Sequence, residues 1–123
     1  MYNGNIERET LANNYFRKVL YTGKHMQLVV MSLKPGEEIG MEVHKHVDQF
    51  FRIEKGEAQF IVDGKKVIAK AEDVVIVTAG ANHNVINKGS GKLKLYTIYA
   101  PPNHPDGTIN KTKKDAEEYE KHH

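Results

Sequence analysis

The amino-acid sequence predicts an all-β protein, either a sandwich or a barrel. Two observations support this prediction. Short segments rich in β-branched and aromatic residues are separated by turn signals at intervals of about 8–12 residues. In addition, residues 57–62 and 65–70 are joined by Asp63 and Gly64, a pair suited to the type I′ turn of a β-hairpin. Periodicity alone does not choose among all-β folds, because immunoglobulin-like and lipocalin-like folds also fit it.

The expected strands follow one another along the first 99 residues. Breaks between them occur at turn residues such as Gly23, Pro35 and Gly89. The segment after Asp73 is wholly apolar, so we expect a buried strand there. The segments predicted as strands are residues 15–21, 25–33, 42–46, 49–53, 57–62, 65–70, 73–77, 83–87 and 92–99.

The pattern changes after Tyr99. Three prolines within residues 100–107 exclude a central strand, since proline lacks the N–H that a sheet requires. Thr112 followed by Asp115 resembles a capping box with Asp in place of Glu or Gln. We therefore predict a short helix over about residues 113–121.

Size and composition indicate one soluble domain. A chain of 123 residues is one domain by length, and 39% hydrophobic with 28% charged residues is typical of a globular protein. No apolar run approaches the ~20 residues of a membrane span, and residues 1–10 show no signal peptide. The chain has no cysteine, which fits the cytoplasm. The net charge of +2, without an arginine cluster, argues against nucleic acid as the main partner.

Two segments, residues 36–56 and 78–87, carry polar side chains of the kind that bind metals. A metal needs three or four ligands that converge from a rigid frame, and the facing strands of a small barrel supply one. The side chains able to offer oxygen or nitrogen at fixed offsets are Glu42, His44, Gln49 and His83.

The spacing in these segments resembles the two signature motifs of the cupins, G-x5-H-x-H-x3/4-E-x6-G and G-x5-P-x-G-x2-H-x3-N. Glu42 replaces the first His of the first motif, and Gln49 replaces its Glu. In the second motif, Glu72 stands for the first Gly and Thr78 for the Pro. The positions that keep the motif are Gly36, His44, Gly56, Gly80, His83 and Asn87.

The resemblance covers roughly residues 27–100 and implies a small single-domain bacterial cupin. The implied fold is a double-stranded β-helix, also called a jelly roll. Its barrel core would span about residues 15–100, followed by the Pro-rich segment and the helix, residues 101–123.

The resemblance also implies that Glu42, His44, Gln49 and His83 hold a divalent transition metal. Mn, Fe, Ni and Zn all suit two oxygen and two nitrogen donors. As in the usual cupin site, one ligand brings a negative charge, here Glu42. The alternative is a metal-free polar pocket in which Glu42 and Gln49 hydrogen-bond to each other.

Other residues are candidates for the surroundings of this site. His46 has the same strand parity as His44, so it is a possible substitute for Gln49 or a substrate-facing group. Phe51 and Tyr96 are candidates for the wall or for substrate binding. We interpret His25 and His104 as ordinary histidines, either on the surface or satisfied by hydrogen bonds.

These features lead to two functional hypotheses. The first is a metal-dependent enzyme, an isomerase, lyase or dioxygenase of cupin type, that acts on a small polar molecule such as a sugar, sugar acid or keto acid. Some sugar-processing cupins are similar in carrying Gln at the fourth ligand position. The second is a non-enzymatic protein that binds or senses a small ligand. Because cupins frequently pair, we also expect a homodimer that binds neither nucleic acid nor membrane.

Overall fold

The structure is a computed structural model, and it describes residues 1–122. Ten strands and two helices are formed within this part of the chain. In chain order the elements are α1 Ile6–Ala12, β1 Arg17–Thr22, β2 Gln27–Leu33, β3 Glu42–Val43, β4 Asp48–Lys55, β5 Glu57–Val62, β6 Lys65–Lys70, β7 Val74–Val77, β8 Asn82–Asn87, β9 Leu93–Ala100, β10 Ile109–Asn110 and α2 Lys113–His122.

The strands form two antiparallel sheets that enclose one apolar core. The larger sheet has the strand order β10-β1-β2-β9-β4-β7, and the smaller has the order β3-β8-β5-β6. Within each strand, inward side chains alternate with outward ones, as the pleat requires. The arrangement is consistent with the predicted double-stranded β-helix. The most deeply buried apolar side chains are Val29, Met31, Leu33, Phe51, Ile53, Phe60, Val85, Leu93 and Leu95.

The hairpin predicted from Asp63 and Gly64 is confirmed. Strands β5 and β6 pair from Val62 opposite Lys65 outward, so the turn contains two residues. Asp63 has a φ of 48° and Gly64 a φ of 82°, and a type I′ turn requires positive φ at both positions.

The expectation of a buried strand at residues 73–77 is wrong. Strand β7 is the edge of the six-stranded sheet and pairs only with β4. Val77 faces the core, but the side chains of Val74 and Ile76 are 46% and 63% exposed. The apolar run therefore reflects a strand with one buried face and one apolar outer face, which composition does not distinguish from full burial.

The predicted strand at residues 42–46 is shorter than expected. Strand β3 contains only Glu42 and Val43, and the chain turns at Lys45 and His46. The one-face alternation expected for residues 42, 44 and 46 therefore ends at His44.

Helix α1 was not predicted. Asn5 caps it, because its Oδ1 accepts a hydrogen bond of 2.9 Å from the N–H of Arg8. The helix packs against β9, β4 and β2 of the six-stranded sheet. Lys94 on β9 donates from Nζ to the carbonyl oxygens of Leu11 at 2.8 Å and Asn13 at 2.6 Å, and so satisfies the end of the helix.

The segment after β9 returns across the barrel and adds a strand to it. Strand β10 pairs with β1, where Arg17 lies opposite Asn110, so β1 is an inner strand rather than the sheet's edge. Helix α2 begins where Thr112 predicted it, with Thr112 Oγ1 accepting a hydrogen bond of 3.1 Å from the N–H of Asp115. Ala116 is 4% exposed and anchors the helix to the core. No helix in residues 1–122 is both long and apolar enough to cross a membrane.

Candidate functional site

Three of the four predicted ligands converge at one point between the sheets. Glu42 on β3 lies directly opposite His83 on β8, and His44 follows β3 immediately. One potential ligand atom from each of the three lies within 4.8 Å of the others. The rings of His44 and His83 have centroids 5.3 Å apart. At these distances the three side chains can surround a common centre without hydrogen-bonding to one another.

The acceptor atoms at this centre have no partner among the described residues. The Nε2 atoms of His44 and His83 are buried without a hydrogen bond. His83 Nδ1 lies 3.3 Å from the carbonyl oxygen of Ala81, which favours the tautomer that leaves the Nε2 lone pair free. Buried polar atoms are usually satisfied. The free lone pair of His83, the unpartnered Nε2 atom of His44 and the carboxylate of Glu42 therefore form a set of groups that fits a divalent cation.

Gln49 is buried on β4 and presents a free amide oxygen. Its Nε2 donates to Thr97 Oγ1 at 3.0 Å, whereas its Oε1 is buried without a partner. Gln49 lies opposite Tyr99 on β9, and the Tyr99 ring centroid is 5.9 Å from that of His44. The hydrogen bond between Glu42 and Gln49 that a metal-free pocket would use is not formed, because the amide nitrogen is directed to Thr97.

The electrostatics keep the two imidazoles neutral. Burial lowers the pKa of His44, and the charges of His83 and Arg17 lower it further. Burial also lowers the pKa of His83, although its hydrogen bond to Ala81 opposes this. The separation of 3.7 Å between His44 Nε2 and Glu42 Oε2 is therefore not an ion pair. Neutral imidazole is the form that binds metals.

Glu42 is held in an environment that disfavours its charge. Burial raises the pKa of Glu42, Arg17 opposes this, and Glu120 adds to it. A cation bound beside Glu42 would remove much of this penalty, since an opposite charge favours the ionised carboxylate.

Three further side chains lie close to this centre, those of Arg17, Tyr99 and His104, and the sequence motifs assign no role to Arg17. Arg17 points inward from β1 and its side chain is 4% exposed. Tyr99 is 2% exposed, and its ring meets the His104 ring edge-on at 5.1 Å. His104 Nε2 and the Tyr99 hydroxyl lie 3.2 Å apart. His104 is thus the hydrogen-bonded histidine of the two predicted alternatives, and it lies next to the site.

Burial determines the protonation of Tyr99 and His104. It raises the pKa of Tyr99 to about 12, although Arg17 and Gln49 lie close enough to favour the ionised phenol. It lowers the pKa of His104 to about 3, and the charges of Arg17 and His44 act in the same direction. At neutral pH both side chains are uncharged.

Gln27 brings His104 to the site. The Oε1 atom of this fully buried side chain accepts hydrogen bonds from the N–H groups of Asn103 at 3.1 Å and His104 at 2.9 Å. Its Nε2 donates to the carbonyl oxygen of His104 at 2.7 Å. One feature of the sequence could have indicated this role. Gln27 is a polar residue at an inward-facing position of β2, whose other residues are mostly apolar.

The predicted surrounding residues have different positions. Phe51 lies beside the site, with its ring centroid 6.2 Å from that of His83. His46 lies in an exposed turn and is not part of the converging group, so it does not take the place of Gln49. Tyr96 lies on the outer face of β9 and stacks on Phe50 at 6.1 Å. The tyrosine of β9 that faces the cluster is Tyr99, because alternate residues of a strand face opposite sides.

The chain is similar in sequence to a known protein family and to a known protein. The family model described as "Cupin domain" matches residues 29–99. The chain is 49% identical over 124 residues to the uncharacterised protein YrkC of Bacillus subtilis, covering 91% of this chain and 63% of that protein. The chain thus spans less than two thirds of this curated relative.

The chain is also similar to a protein of solved structure and to a more distant relative. The crystal structure of BH2720 from Bacillus halodurans superposes with a TM-score of 0.94 at 41% identity, covering 95% of this chain and 93% of that one. The chain is also 32% identical over 68 residues to a protein of Thermotoga maritima named oxalate-binding protein, covering 55% of this chain and 56% of that protein.

Proposed function

The chain belongs to the cupin family, and on that premise we propose that it is a metal-binding cupin that acts on a small polar organic molecule. Glu42, His44, Gln49 and His83 would hold one divalent transition ion, Mn, Fe, Ni or Zn. The observation that carries the proposal is the set of buried acceptor atoms without partners, His44 Nε2, His83 Nε2 and Gln49 Oε1. A bound cation would satisfy them and the desolvated carboxylate together.

The protein side chains would have different roles at such a centre. A divalent ion held there would supply a Lewis acid for the oxygen atoms of the ligand. Glu42 contributes the one negative charge of the donor set. Phe51 packs against His83 and restricts water on that side, and the Tyr99 hydroxyl is available as a hydrogen-bond donor because it remains protonated.

The first candidate function is an enzyme, an isomerase, lyase or dioxygenase acting on a sugar, sugar acid or keto acid. It requires that the ion's Lewis acidity or oxygen chemistry carry the reaction. Efficient general acid–base groups have pKa values near the working pH. Tyr99 at about 12 and His104 at about 3 are far from it.

That same pair of pKa values favours a second candidate, a cupin that binds a small ligand without turning it over. The relative from Thermotoga maritima that is named for oxalate binding supports this alternative. The two candidates share the metal centre and differ only in whether bound ligand is converted.

The metal proposal is tested first, with the ion alone. Elemental analysis of protein purified without added metal identifies the resident ion, and calorimetric titration with Mn²⁺ measures affinity. We expect about one equivalent to bind, and we expect His83→Ala to weaken binding at least about 100-fold because it removes a buried ligand. His25→Ala is the matched control, since His25 is exposed in the turn between β1 and β2, and it should bind Mn²⁺ as the unmodified protein does.

Two results would contradict the metal proposal. One is unmodified protein that takes up none of the four ions. The other is equal Mn²⁺ affinity in the His83→Ala and His25→Ala variants. Once metal binding is measured, incubation of the loaded protein with a panel of keto acids and sugars separates the two candidates. An enzyme converts at least one compound and loses that activity with His44→Ala, whereas a binding protein converts none.

We also propose a homodimer formed through the outer face of the six-stranded sheet. That face carries the exposed side chains of Val74 and Ile76 at its edge. It also has a shallow, mainly apolar pocket of about 240 Å³, lined by Tyr2, Tyr21, Met26, Leu28 and Ile98. Burial of such a face between two copies would remove apolar surface from water. Light scattering after size exclusion should give twice the chain mass, and a monomer mass at micromolar concentration contradicts the proposal.

The proposed location is the cytoplasm. It rests on composition, since these 123 residues contain no cysteine and so no disulfide that an oxidising compartment would maintain. Cell fractionation with an antibody against the native protein tests it.

A further inference from the structure

We infer that Arg17 is the ligand-binding residue of this site and that the ligand is a carboxylate-bearing organic anion. The inference rests on the proposed metal centre and narrows its substrate class from small polar molecules in general to organic acids. It starts from the position of Arg17, whose guanidinium enters the barrel from β1 and acts electrostatically on Glu42, His44, Tyr99 and His104.

The contacts of Arg17, which include a hydrogen bond to the Tyr99 side chain, leave part of its buried guanidinium unpaired. Its side chain is 4% exposed, and an isolated buried charge is costly unless it is paired and hydrogen-bonded. Nη1 lies 3.4 Å from Asn110 Oδ1, which is a long hydrogen bond, and 3.7 Å from Glu120 Oε1. The Nε atom is buried with no partner among the described residues. A guanidinium has five N–H donors arranged to bind a planar carboxylate through two of them.

The net charge of the site with a divalent ion bound also favours an anionic ligand. Glu42 contributes one negative charge and Arg17 one positive charge, so the two cancel. A divalent ion then adds two positive charges, of which the exposed carboxylate of Glu120 offsets one. A neutral sugar would leave that excess in place, whereas an organic acid would reduce it.

Glu120 is the partner that such a ligand would displace. It lies in the last turns of α2, and its side chain is 60% exposed although it faces the buried Arg17. An ion pair with one exposed partner contributes little to stability, about 0–1 kcal/mol. The carboxylate of Glu120 thus lies at the guanidinium, where a ligand carboxylate could replace it at low cost.

The experiment uses three probes of nearly the same shape and different charge, which are oxalate, oxamate and oxamide. Mn²⁺ alone is first titrated into each variant, and the three probes are then titrated into the Mn²⁺-loaded protein by calorimetry. Arg17→Met removes the charge but keeps most of the side-chain volume, and Arg17→Lys keeps the charge but loses the planar fork. Glu120→Gln removes the displaced partner. Glu117→Gln is its matched control, because Glu117 is equally exposed on α2 and pairs with Lys113.

We expect affinity to fall from oxalate through oxamate to oxamide in the unmodified protein. Arg17→Met should weaken oxalate binding at least about tenfold, with a smaller loss in Arg17→Lys. Its Mn²⁺ affinity should be unchanged or higher, since a neighbouring positive charge is removed. Glu120→Gln should tighten oxalate binding about two- to fivefold, and Glu117→Gln should not change it. Chelation of the ion by oxalate in solution is common to all variants and cancels in the comparison.

The outcomes separate this inference from the metal proposal. If Mn²⁺ binds but Arg17→Met retains the oxalate affinity of the unmodified protein, or if the three probes bind equally, the inference is overturned and the metal centre stands. If Mn²⁺ does not bind to the unmodified protein, the metal proposal is overturned. Titration of oxalate, oxamate and oxamide into the metal-free unmodified and Arg17→Met proteins then shows whether Arg17 binds the carboxylate. Arg17→Lys and Glu120→Gln preserve the test in case Arg17→Met does not fold.

Discussion

The buried His104 should make the metal-free protein sensitive to acid, and His104→Gln should remove a defined part of that sensitivity. The pKa of His104 falls from 6.5 to about 3 on folding, first because of burial and then because of the charges of Arg17 and His44. Between these two values the unfolded chain binds a proton at this position more readily than the folded chain does. Stability from His104 is therefore complete above pH 6.5 and is lost progressively as the pH falls toward 3.

The size of the effect follows from the shift. Each pH unit below 6.5 costs about 1.4 kcal/mol until the folded-state pKa is reached. Between pH 7 and pH 5, His104 should thus reduce the free energy of unfolding by about 2 kcal/mol. His44 and His83, whose pKa values are also lowered by burial, act in the same direction. Glu42, whose pKa is raised by burial, acts in the opposite direction, so the share of His104 is obtained from the difference between the variant and the unmodified protein.

Urea unfolding of chelator-treated protein at pH 7 and pH 5, followed by circular dichroism, measures the effect. Glutamine can still hydrogen-bond to the Tyr99 hydroxyl but does not titrate, so His104→Gln should reduce the loss between the two pH values by about 2 kcal/mol. His25→Gln changes an exposed histidine and serves as the control. An identical loss in His104→Gln and the unmodified protein would show that His104 is not held neutral by the fold.

Two substitutions away from the site test the fold itself. Lys94→Met should cost about 2–3 kcal/mol, because it leaves the carbonyl oxygens at the end of α1 without their donor. Hydrogen exchange should accelerate in α1, and a loss below about 0.5 kcal/mol contradicts the reasoning. Gly56→Ala should cost more than Gly80→Ala, measured by urea unfolding. Both glycines have positive φ, of 96° and 89°, but a Cβ at Gly56 would lie 2.9 Å from the carbonyl oxygen of Lys92 whereas Gly80 has open space. Equal losses would exclude the close contact as the cause.

Much of the fold could be predicted because its signals are local. The hairpin at Asp63 and Gly64 depends on two adjacent residues that tolerate positive φ, and the helix cap at Thr112 depends on a side chain three residues from its partner. Helix α1 was missed because seven residues of mixed character, Ile6–Ala12, carry too short a pattern.

The candidate site includes residues that local sequence patterns do not predict. The glycine-anchored spacing identified Glu42, His44 and His83, which the structure brings within 4.8 Å of one another. Gln49, the fourth residue of that spacing, lies on β4 in the other sheet. The spacing contains no information on Arg17 or His104, which come from β1 and from the segment after β9, outside both motifs.

The sequence by itself determined the approximate positions of β1 to β9 and of the turns between them, because alternation and turn chemistry act over a few neighbouring residues. Only the tertiary structure decided which strands became edges, which tyrosine of β9 faces the interior, and that a buried guanidinium lies among the proposed ligands. These features depend on which distant segments become neighbours when the sheets close around the core, and that outcome is set by burial over the whole chain.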